Sequence, residues 1–113
     1  MKNFYKAKGI YLIPELKFQL KNICCNNNIT LRELMCCLFY HICTNKRYYG
    51  NMPVIYANKK QMNVYVAEQT YNHIKILAND SQMKLNDFIN SAIKKTLENF
   101  NIQTIILNWK AWT

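Results

Sequence analysis

The stretch Gln61–Val66, which reads QMNVYV, alternates polar and apolar residues with a period of two. This period is typical of a β-strand buried on one face, because successive side chains of a strand point to opposite sides of the sheet. We therefore expect the three apolar side chains to face the core. The three that face outward are large, uncharged hydrogen-bonding groups: Gln61, Asn63 and Tyr65.

The same pattern occurs earlier in the chain, at a constant offset of 54 residues. Tyr65 falls on Tyr11 at this offset, and the apolar positions on either side of it coincide as well. The apolar pattern holds without insertion over about 35 residues, and a match of this length indicates an internal repeat. The repeat predicts two short strands, over 6–12 and 60–66, that pair with each other.

Two helices are predicted after each strand. In the first copy Pro14 and Glu15 favour a helix start, since proline suits the first turn and a carboxylate suits the positive end of a helix. The polar residues 26–28 end this helix and residues 79–81 end its counterpart, because asparagine tolerates a left-handed backbone. The second helix of the first copy begins at the capping box Thr30–Glu33.

The composition indicates a folded chain with a polyanionic partner. Half of the 113 residues are hydrophobic, and no apolar run approaches the ~20 residues of a membrane span. The formal net charge is +9, and residues 1–60 alone hold ten basic and two acidic residues. Such a bias favours nucleic acid over acidic lipid as the partner. No secretory signal is evident in the sequence, so we expect a cytoplasmic protein without membrane association.

The order strand–helix–helix, found twice, resembles the ribbon-helix-helix family of DNA-binding regulators. The segment Lys84–Ile93 is similar to the start of that family's second helix, with a polar cap, an acid, two apolar residues and then Ala-Ile. Two copies on one chain resemble the tandem members found in conjugative plasmids and archaeal filamentous viruses. The resemblance implies a mainly α fold with a two-stranded antiparallel β-ribbon, in which two ribbon-helix-helix units form an intramolecular pseudo-dimer. It also implies a viral or plasmid protein, in the host cytoplasm if viral.

The repeat and the resemblance divide the chain into four parts. Residues 1–45 form the first unit, 46–59 a basic linker, 60–98 the second unit and 99–113 an apolar C-terminal extension. The family's usual glycine between the two helices is absent, so Asn or Asp is expected to serve there. The extension is too apolar for a free tail, and we expect it to fold back over the core. A contact with another chain is the alternative.

Alternation assigns three residues of each strand to the outward face of the ribbon, and the family reads the DNA major groove with this face. The base-contacting candidates are Ala7, Gly9, Tyr11, Gln61, Asn63 and Tyr65. Asn and Gln can bind adenine through two hydrogen bonds, and Tyr can hydrogen-bond a base or a phosphate. Because the two strands differ, an imperfectly palindromic site is expected. The alternative is that the tyrosines are ordinary half-exposed strand residues.

A second set of candidates would contact phosphates. In the family the start of each second helix binds a phosphate, since free N–H groups and the helix dipole attract an anion. Basic residues near the strand ends would add salt-dependent attraction, and a merely solvated basic surface is the alternative. These candidates are Lys6, Lys8, Thr30, Leu31, Arg32, Arg47, Lys59, Lys60, Lys84, Leu85 and Asn86.

The cysteines and histidines do not predict a metal or catalytic site. Five cysteines, with His41 and His73, follow no common ligand spacing, and no C-x2-C pair occurs. Two of the cysteines fall on apolar residues of the second copy, which favours core positions. Cys25 or Cys36 could form a disulfide. No nucleophile–base pair or glycine-rich phosphate loop is present, so we expect no enzyme activity, no metal, no cofactor and no small-molecule substrate.

The residues and the resemblance together predict a sequence-specific regulator of transcription, a repressor or an activator, that binds double-stranded DNA through the ribbon. Several copies could self-associate side by side on DNA, because one ribbon covers few base pairs. One alternative keeps the fold and makes the chain an accessory protein in plasmid DNA processing. Another makes it an antitoxin-like protein whose C-terminal segment, with Trp109 and Trp112, binds a partner.

Overall fold

The computed structural model describes residues 5–112, with the backbone alone described for Trp112. Residues 1–4 of the predicted first unit and Thr113 of the predicted extension lie outside the described residues. The elements in chain order are β1 (Tyr5–Leu12), α1 (Pro14–Asn27), α2 (Leu31–Thr44), a 3₁₀ helix (Lys46–Tyr49), β2 (Lys60–Ala67), α3 (Glu68–Asp80), α4 (Leu85–Asn99) and α5 (Ile102–Trp112). The prediction of a mainly helical chain with a two-stranded antiparallel sheet is confirmed. None of the helices within this range has both the length and the apolar character needed to cross a membrane.

The two strands form an antiparallel ribbon whose register follows the repeat. Gly9 lies opposite Asn63, and these two residues are also equivalent at the 54-residue offset. The pairs on either side of this centre mirror each other: Ala7 opposite Tyr65, and Tyr11 opposite Gln61. The ribbon is therefore centred on the position that relates one copy of the repeat to the other.

One face of the ribbon covers a core to which both copies contribute. Four inward strand residues are at most 2% exposed: Ile10, Leu12, Val64 and Val66. Met62, the third apolar residue of β2 expected to face the core, is only partly buried. The second helices add apolar faces spaced at i, i+3 and i+4, which include Leu34, Leu38, Phe88 and Ile89. Full burial of such side chains stabilises the fold by roughly 1.5–3 kcal/mol each. The core therefore holds one face of the ribbon in place, and the other face is exposed to solvent.

Each turn between paired helices contains one residue with left-handed backbone. In the first turn it is Asn28, with φ 53°, as the run of asparagines favours. In the second turn it is Gln82, with φ 57°, so the expectation that Asn or Asp takes this place is wrong there. The second turn is closed by a hydrogen bond from the Met83 N–H to the Ala78 carbonyl at 2.9 Å. The equivalent bond in the first turn runs from the Ile29 N–H to the Cys24 carbonyl at 3.2 Å, so the same hydrogen-bonded turn occurs at both places although glutamine does not favour this geometry.

Each second helix packs on the strand of the other copy. Helix α2 contacts β2 and α3 as well as α1, and helix α4 contacts β1 and α1 as well as α3. A strand with two helices leaves one side of its apolar surface open, and here that side is covered by the other segment. Neither copy of the repeat therefore encloses a core by itself.

Different segments cover the outer sides of α2 and α4. Helix α5 packs on α2, where the Cys37 thiol donates to the Ile105 carbonyl at 3.5 Å. The connection between the copies lies against α4, where the Ser91 hydroxyl donates to the Pro53 carbonyl at 2.7 Å. Cys37 and Ser91 are equivalent at the repeat offset. The C-terminal segment folds back as expected, and Ile105 and Ile106 are buried.

The basic segment 46–59, predicted as a connection outside the core, contributes to the core. Tyr49, at the end of the 3₁₀ helix, is 1% exposed. Its hydroxyl forms a 2.7 Å hydrogen bond with the Thr96 hydroxyl of α4. The prediction is wrong at this residue because it rested on Gly50, Pro53 and the basic ends of the segment, whereas the partner of Tyr49 lies 47 residues later in the chain.

Candidate nucleic-acid interface

The outward side of the ribbon carries all six base-contacting candidates, and each is exposed: Ala7, Gly9, Tyr11, Gln61, Asn63 and Tyr65. We call this set the ribbon face. Tyr11 is 46% exposed and Tyr65 is 41% exposed, so both rings are accessible although they lie on the strand surface. The structure therefore brings the predicted base-contacting residues together on one continuous surface.

Gly9 leaves room for two amide side chains at the centre of the ribbon face. A Cβ at this position would lie 3.1 Å from Nε2 of Gln61 and 3.8 Å from Oδ1 of Asn63. The first distance is shorter than an ordinary carbon–nitrogen contact, so a side chain at Gly9 would displace the Gln61 amide. The absence of a side chain therefore leaves the Gln61 amide in its place, whereas the Asn63 amide would be at an ordinary contact distance from a Cβ.

Helix α4 holds the end of β1 through two asparagines. Asn86 Oδ1 accepts a hydrogen bond from the Tyr11 N–H at 3.0 Å. The buried Asn90 accepts from the Ile13 N–H at 2.8 Å and donates to the Tyr11 carbonyl at 2.8 Å. Both backbone polar groups of Tyr11 are thus bound by the helix of the other copy. This fixes the backbone from which the Tyr11 side chain projects.

Helix α2 holds β2 at the equivalent place with a thiol. Cys36 is equivalent to Asn90 at the repeat offset, and its thiol donates to the Tyr65 carbonyl at 2.9 Å. Burial raises the pKa of the Cys36 thiol to about 11, with a partly opposing effect from the nearby Arg32. The thiol therefore keeps the proton that it donates at neutral pH. A thiol is a weak single donor, whereas an amide has two donors and an acceptor, so this anchor is the weaker one.

Arg32, in the first turn of α2, extends the ribbon face beyond Tyr65. The guanidinium carbon lies 4.2 Å from the centroid of the Tyr65 ring, which is the distance of a cation–π contact. Arg32 is exposed, and within residues 5–112 no ion pair involves it. The contact fixes the position of a positive charge next to an exposed tyrosine.

The start of α2 is closed by its own side chains. Thr30 Oγ1 accepts from the Glu33 N–H at 3.0 Å, and Glu33 accepts from the Thr30 N–H at 2.9 Å, which is the predicted capping box. The bond from the Thr30 backbone holds the pKa of the Glu33 carboxyl below its usual value. An ionised carboxylate therefore lies where a phosphate would approach. Leu31 is the first helical residue and offers only its backbone to such a ligand.

The start of α4 is more open to an anion. Lys84 occupies the N-cap position without a side-chain cap, and Leu85 is the first helical residue. Asp87, in the same turn, pairs with Lys59 at 3.4 Å, so its charge is offset. Asn86 of this turn binds β1 through its side chain. Of the two predicted phosphate clamps, this one has the chemistry that attracts a phosphate.

The remaining basic candidates are distributed unevenly around the ribbon. Lys6 and Lys8 share the side of β1 that carries Ile10 and Leu12, and their Nζ atoms lie 3.7 and 3.3 Å from the Glu68 carboxylate. Lys60 begins β2 and is exposed. Arg47 follows the C-terminal end of α2, about 20 Å along the helix from its first turn. Phosphate contact stays a prediction for the whole set, and only part of it lies beside the ribbon face.

The buried asparagine that anchors β1 was not predicted from the sequence. Asn90 is 0% exposed and follows Asn86 by four residues, so both lie on one side of α4. Two polar residues at helical spacing on an otherwise apolar face are the signal that would have identified them, because a buried amide requires partners. Cys36 gave no comparable signal, since a cysteine at a core position is ordinary.

The histidines, cysteines and carboxylates of residues 5–112 are not grouped as a metal site would require. Between residues 5 and 112 no group of three or more His, Cys, Asp or Glu side chains is arranged to hold a metal ion. All five cysteines are free thiols, so the disulfide considered for Cys25 or Cys36 is not formed.

Comparison of the chain with protein-family models, with curated proteins and with solved structures found no match. The ribbon face is therefore interpreted from its own geometry and chemistry. It combines two tyrosines, two amides and an adjacent arginine on an exposed surface, held from behind by α2 and α4.

Proposed function

We propose that this chain is a single-chain pseudo-dimer of two ribbon-helix-helix units that binds double-stranded DNA and regulates transcription. The ribbon face enters the major groove and reads base edges. The observation that carries the proposal is the exposure of two amides and two tyrosines on one paired ribbon. Side chains of these types form the hydrogen bonds that distinguish base pairs in the major groove, and a two-stranded ribbon fits into that groove.

The register of the ribbon supports the pseudo-dimer. Gly9 and Asn63, equivalent at the repeat offset, lie opposite each other. Helices α1 and α3 begin 54 residues apart, as do α2 and α4, and the left-handed residues Asn28 and Gln82 have the same separation. An approximate two-fold axis through the centre of the ribbon follows from this agreement. Duplex DNA has a matching two-fold axis, as dimeric regulators exploit.

Size and charge also support the proposal. The ribbon face spans five residues of each strand, or roughly 13 Å, which is close to the width of about 12 Å of the major groove. The formal net charge of +9 attracts a polyanion without regard to sequence. Lys60 and Lys84 are exposed near the end of the ribbon that carries Tyr11, where a flanking phosphate would lie.

Selection of bound sites from a random DNA pool tests the function most directly. We expect one enriched, imperfectly palindromic sequence. Asn63→Ala should lower the preference for the central base pairs, since a bidentate amide–base contact contributes about 1–3 kcal/mol of discrimination. Asn108→Ala, an exposed asparagine on α5, is the matched control and should leave the selected sequence unchanged. Unchanged discrimination in Asn63→Ala would show that the ribbon face does not read bases.

The non-specific part of binding is tested by salt dependence. Lys60→Ala should weaken binding to all sequences and reduce the slope of log K against log salt by about 1, because one phosphate contact is lost. Lys59→Ala should have a smaller effect, since Lys59 is already paired with Asp87. Equal slopes for Lys60→Ala and the unmodified protein would remove Lys60 from the phosphate contacts.

The site at which the protein binds separates regulation of transcription from a role in DNA processing. Footprinting on the DNA that surrounds its own gene should protect a promoter region. Protection of a transfer origin, with no effect on transcript levels, would favour the accessory role instead.

A further inference from the structure

We propose that Arg32 binds a guanine in one half of the DNA site, so that the two halves of the site differ in the bases they require. The inference rests on the proposed function and assigns base specificity to a residue outside the strands. Arg32 was expected to contact a phosphate, as part of the start of α2. Its contact with Tyr65 on the ribbon face points to contact with a base instead.

The contact with Tyr65 leaves the N–H donors of Arg32 without a hydrogen-bond or ion-pair partner among residues 5–112, and Arg32 is exposed. The guanidinium carbon lies 4.2 Å from the Tyr65 ring centroid, so the group contacts the ring through its face. All N–H donors of a guanidinium lie in its plane and point outward from its edge. A stacked guanidinium can therefore still form two parallel hydrogen bonds. The acceptors that best match this fork in the major groove are O6 and N7 of guanine.

No side chain of the described residues competes for the charge of Arg32. None of the ion pairs within residues 5–112 includes it. The adjacent carboxylate, Glu33, accepts hydrogen bonds from the Thr30 N–H at 2.9 Å and from the Thr30 hydroxyl at 3.2 Å. Arg32 is thus held by an aromatic ring and not by an acid. Stacking also limits the rotamers of a long side chain, which lowers the entropy cost of binding a base.

The other end of the ribbon lacks this group. The residue equivalent to Arg32 at the repeat offset is Asn86, whose Oδ1 is bound to the Tyr11 N–H at 3.0 Å. Its amide carries no charge, and its acceptor is used in holding the strand. The two tyrosines of the ribbon face therefore have different neighbours, a guanidinium beside Tyr65 and a structural amide beside Tyr11. A guanine read by Arg32 would have no counterpart at the mirror position of the site.

Selection from a random DNA pool with Arg32→Gln tests the inference. The unmodified protein should enrich a G·C pair at one outer position of the site and not at the mirror position. In Arg32→Gln we expect the preference at that position to fall roughly tenfold, with the other positions unchanged. The matched control is Lys21→Gln, which removes one exposed positive charge on α1 and should leave the base preference at every position intact.

A chemical substitution in the DNA gives a second readout that does not depend on folding of a variant. Replacing the enriched guanine by 7-deazaguanine removes the N7 acceptor, and binding of the unmodified protein should fall by about fivefold. The same DNA should cause no further loss with Arg32→Gln. A uniform loss of affinity in Arg32→Gln, with unchanged base preferences, would mean that Arg32 contacts only phosphate and would overturn the inference. If the unmodified protein selects no sequence at all, the proposed function fails first.

Discussion

Helices α2 and α4 occupy equivalent positions in the two copies but hold the ribbon with different chemistry. Helix α4 binds β1 with two asparagine side chains, which take up the N–H and the carbonyl of Tyr11. Helix α2 binds β2 with the Cys36 thiol and with the stack of Arg32 on Tyr65. One strand is therefore fixed by backbone hydrogen bonds to amides, and the other by a thiol and a side-chain stack.

The end of the ribbon at Tyr11 is held by amide hydrogen bonds, whereas the end at Tyr65 carries the positive charge of Arg32. The Asn90 amide and the Asn86 carbonyl oxygen are hydrogen-bonded around Tyr11, whereas Arg32 is exposed next to Tyr65. In a symmetric homodimer both ends would carry the same residues. In this chain the two ends carry different residues, with two asparagines at Tyr11 and a cysteine and an arginine at Tyr65.

The largest expected effect comes from removing the amide anchor. Asn90→Ala leaves the Tyr11 carbonyl and the Ile13 N–H without their partner, so the free energy of unfolding should fall by about 2–4 kcal/mol. Cys36→Ala, at the equivalent position, should cost only about 0.5–1.5 kcal/mol. Urea unfolding followed by circular dichroism measures both, and Asn99→Ala on the exposed side of α4 is the control. Equal losses at the two positions would contradict the proposed difference between the anchors.

The second prediction compares the two segments that cover the outer sides of α2 and α4, which are helix α5 and the connection between the copies. Ile105→Ala should cost about 2–4 kcal/mol, since Ile105 of α5 is buried against α2 and its truncation leaves a cavity. Ile55→Ala, in the connection, should cost less because Ile55 is only partly buried. The same unfolding measurement applies. A larger loss for Ile55→Ala would show that the connection stabilises the core more than α5 does.

The third prediction concerns the helix starts. Thr30→Ala removes the capping box of α2 and should lower the free energy of unfolding by about 1 kcal/mol. Lys84→Ala should change it by less than about 0.5 kcal/mol, because the Lys84 side chain caps nothing in α4. Thermal unfolding at one protein concentration measures both variants. If the two substitutions cost the same, the capping box contributes no stability to α2.

The smallest expected effect is a pH dependence that belongs to α2 alone. Burial lowers the pKa of the His41 imidazole below its usual 6.5, and the equivalent residue of α4 is Lys95. The unfolded chain therefore binds a proton at His41 more tightly than the folded chain does. The contribution of the neutral imidazole to the free energy of unfolding is complete above pH 6.5, and it is lost as the pH falls below that value. Unfolding midpoints at neutral pH and at about pH 5.5 should therefore differ.

His41→Gln provides the control for this prediction, because a glutamine does not titrate. The difference between the two midpoints should decrease in this variant. The carboxyl of Glu33 has its pKa lowered from 4.5, so its own contribution is lost only at more acidic pH than this window. An unchanged difference in His41→Gln would assign the pH dependence to another group.

Much of the fold followed from the period of two and the repeat offset. Alternation around Tyr11 and Tyr65 separated inward from outward residues, because a strand has only two faces. The capping box at Thr30 marked the start of α2 to the residue, since its chemistry is local. Features of this kind depend on neighbours within a few positions, so the sequence alone contains them.

The parts that the sequence did not predict depend on partners far along the chain. Asn90 binds Tyr11, 79 residues earlier, and Tyr49 binds Thr96, 47 residues later. The stack of Arg32 on Tyr65 likewise joins the two copies. No local sequence pattern predicts such pairs. A polar residue on an otherwise apolar helix face does indicate that it has a hydrogen-bond partner elsewhere in the chain.

The antiparallel pairing of β1 with β2 has a consequence for biosynthesis. The ribosome makes β1 before β2, and the hydrogen-bonding partner of β1 is complete only at Ala67. During this interval the first strand presents unpaired N–H and C=O groups to its surroundings. Closing the long loop between the strands has a large entropy cost, and such non-local pairings form slowly. We therefore expect assembly of the ribbon to limit the folding rate, and nascent chains to aggregate through β1 when synthesis stalls before residue 67.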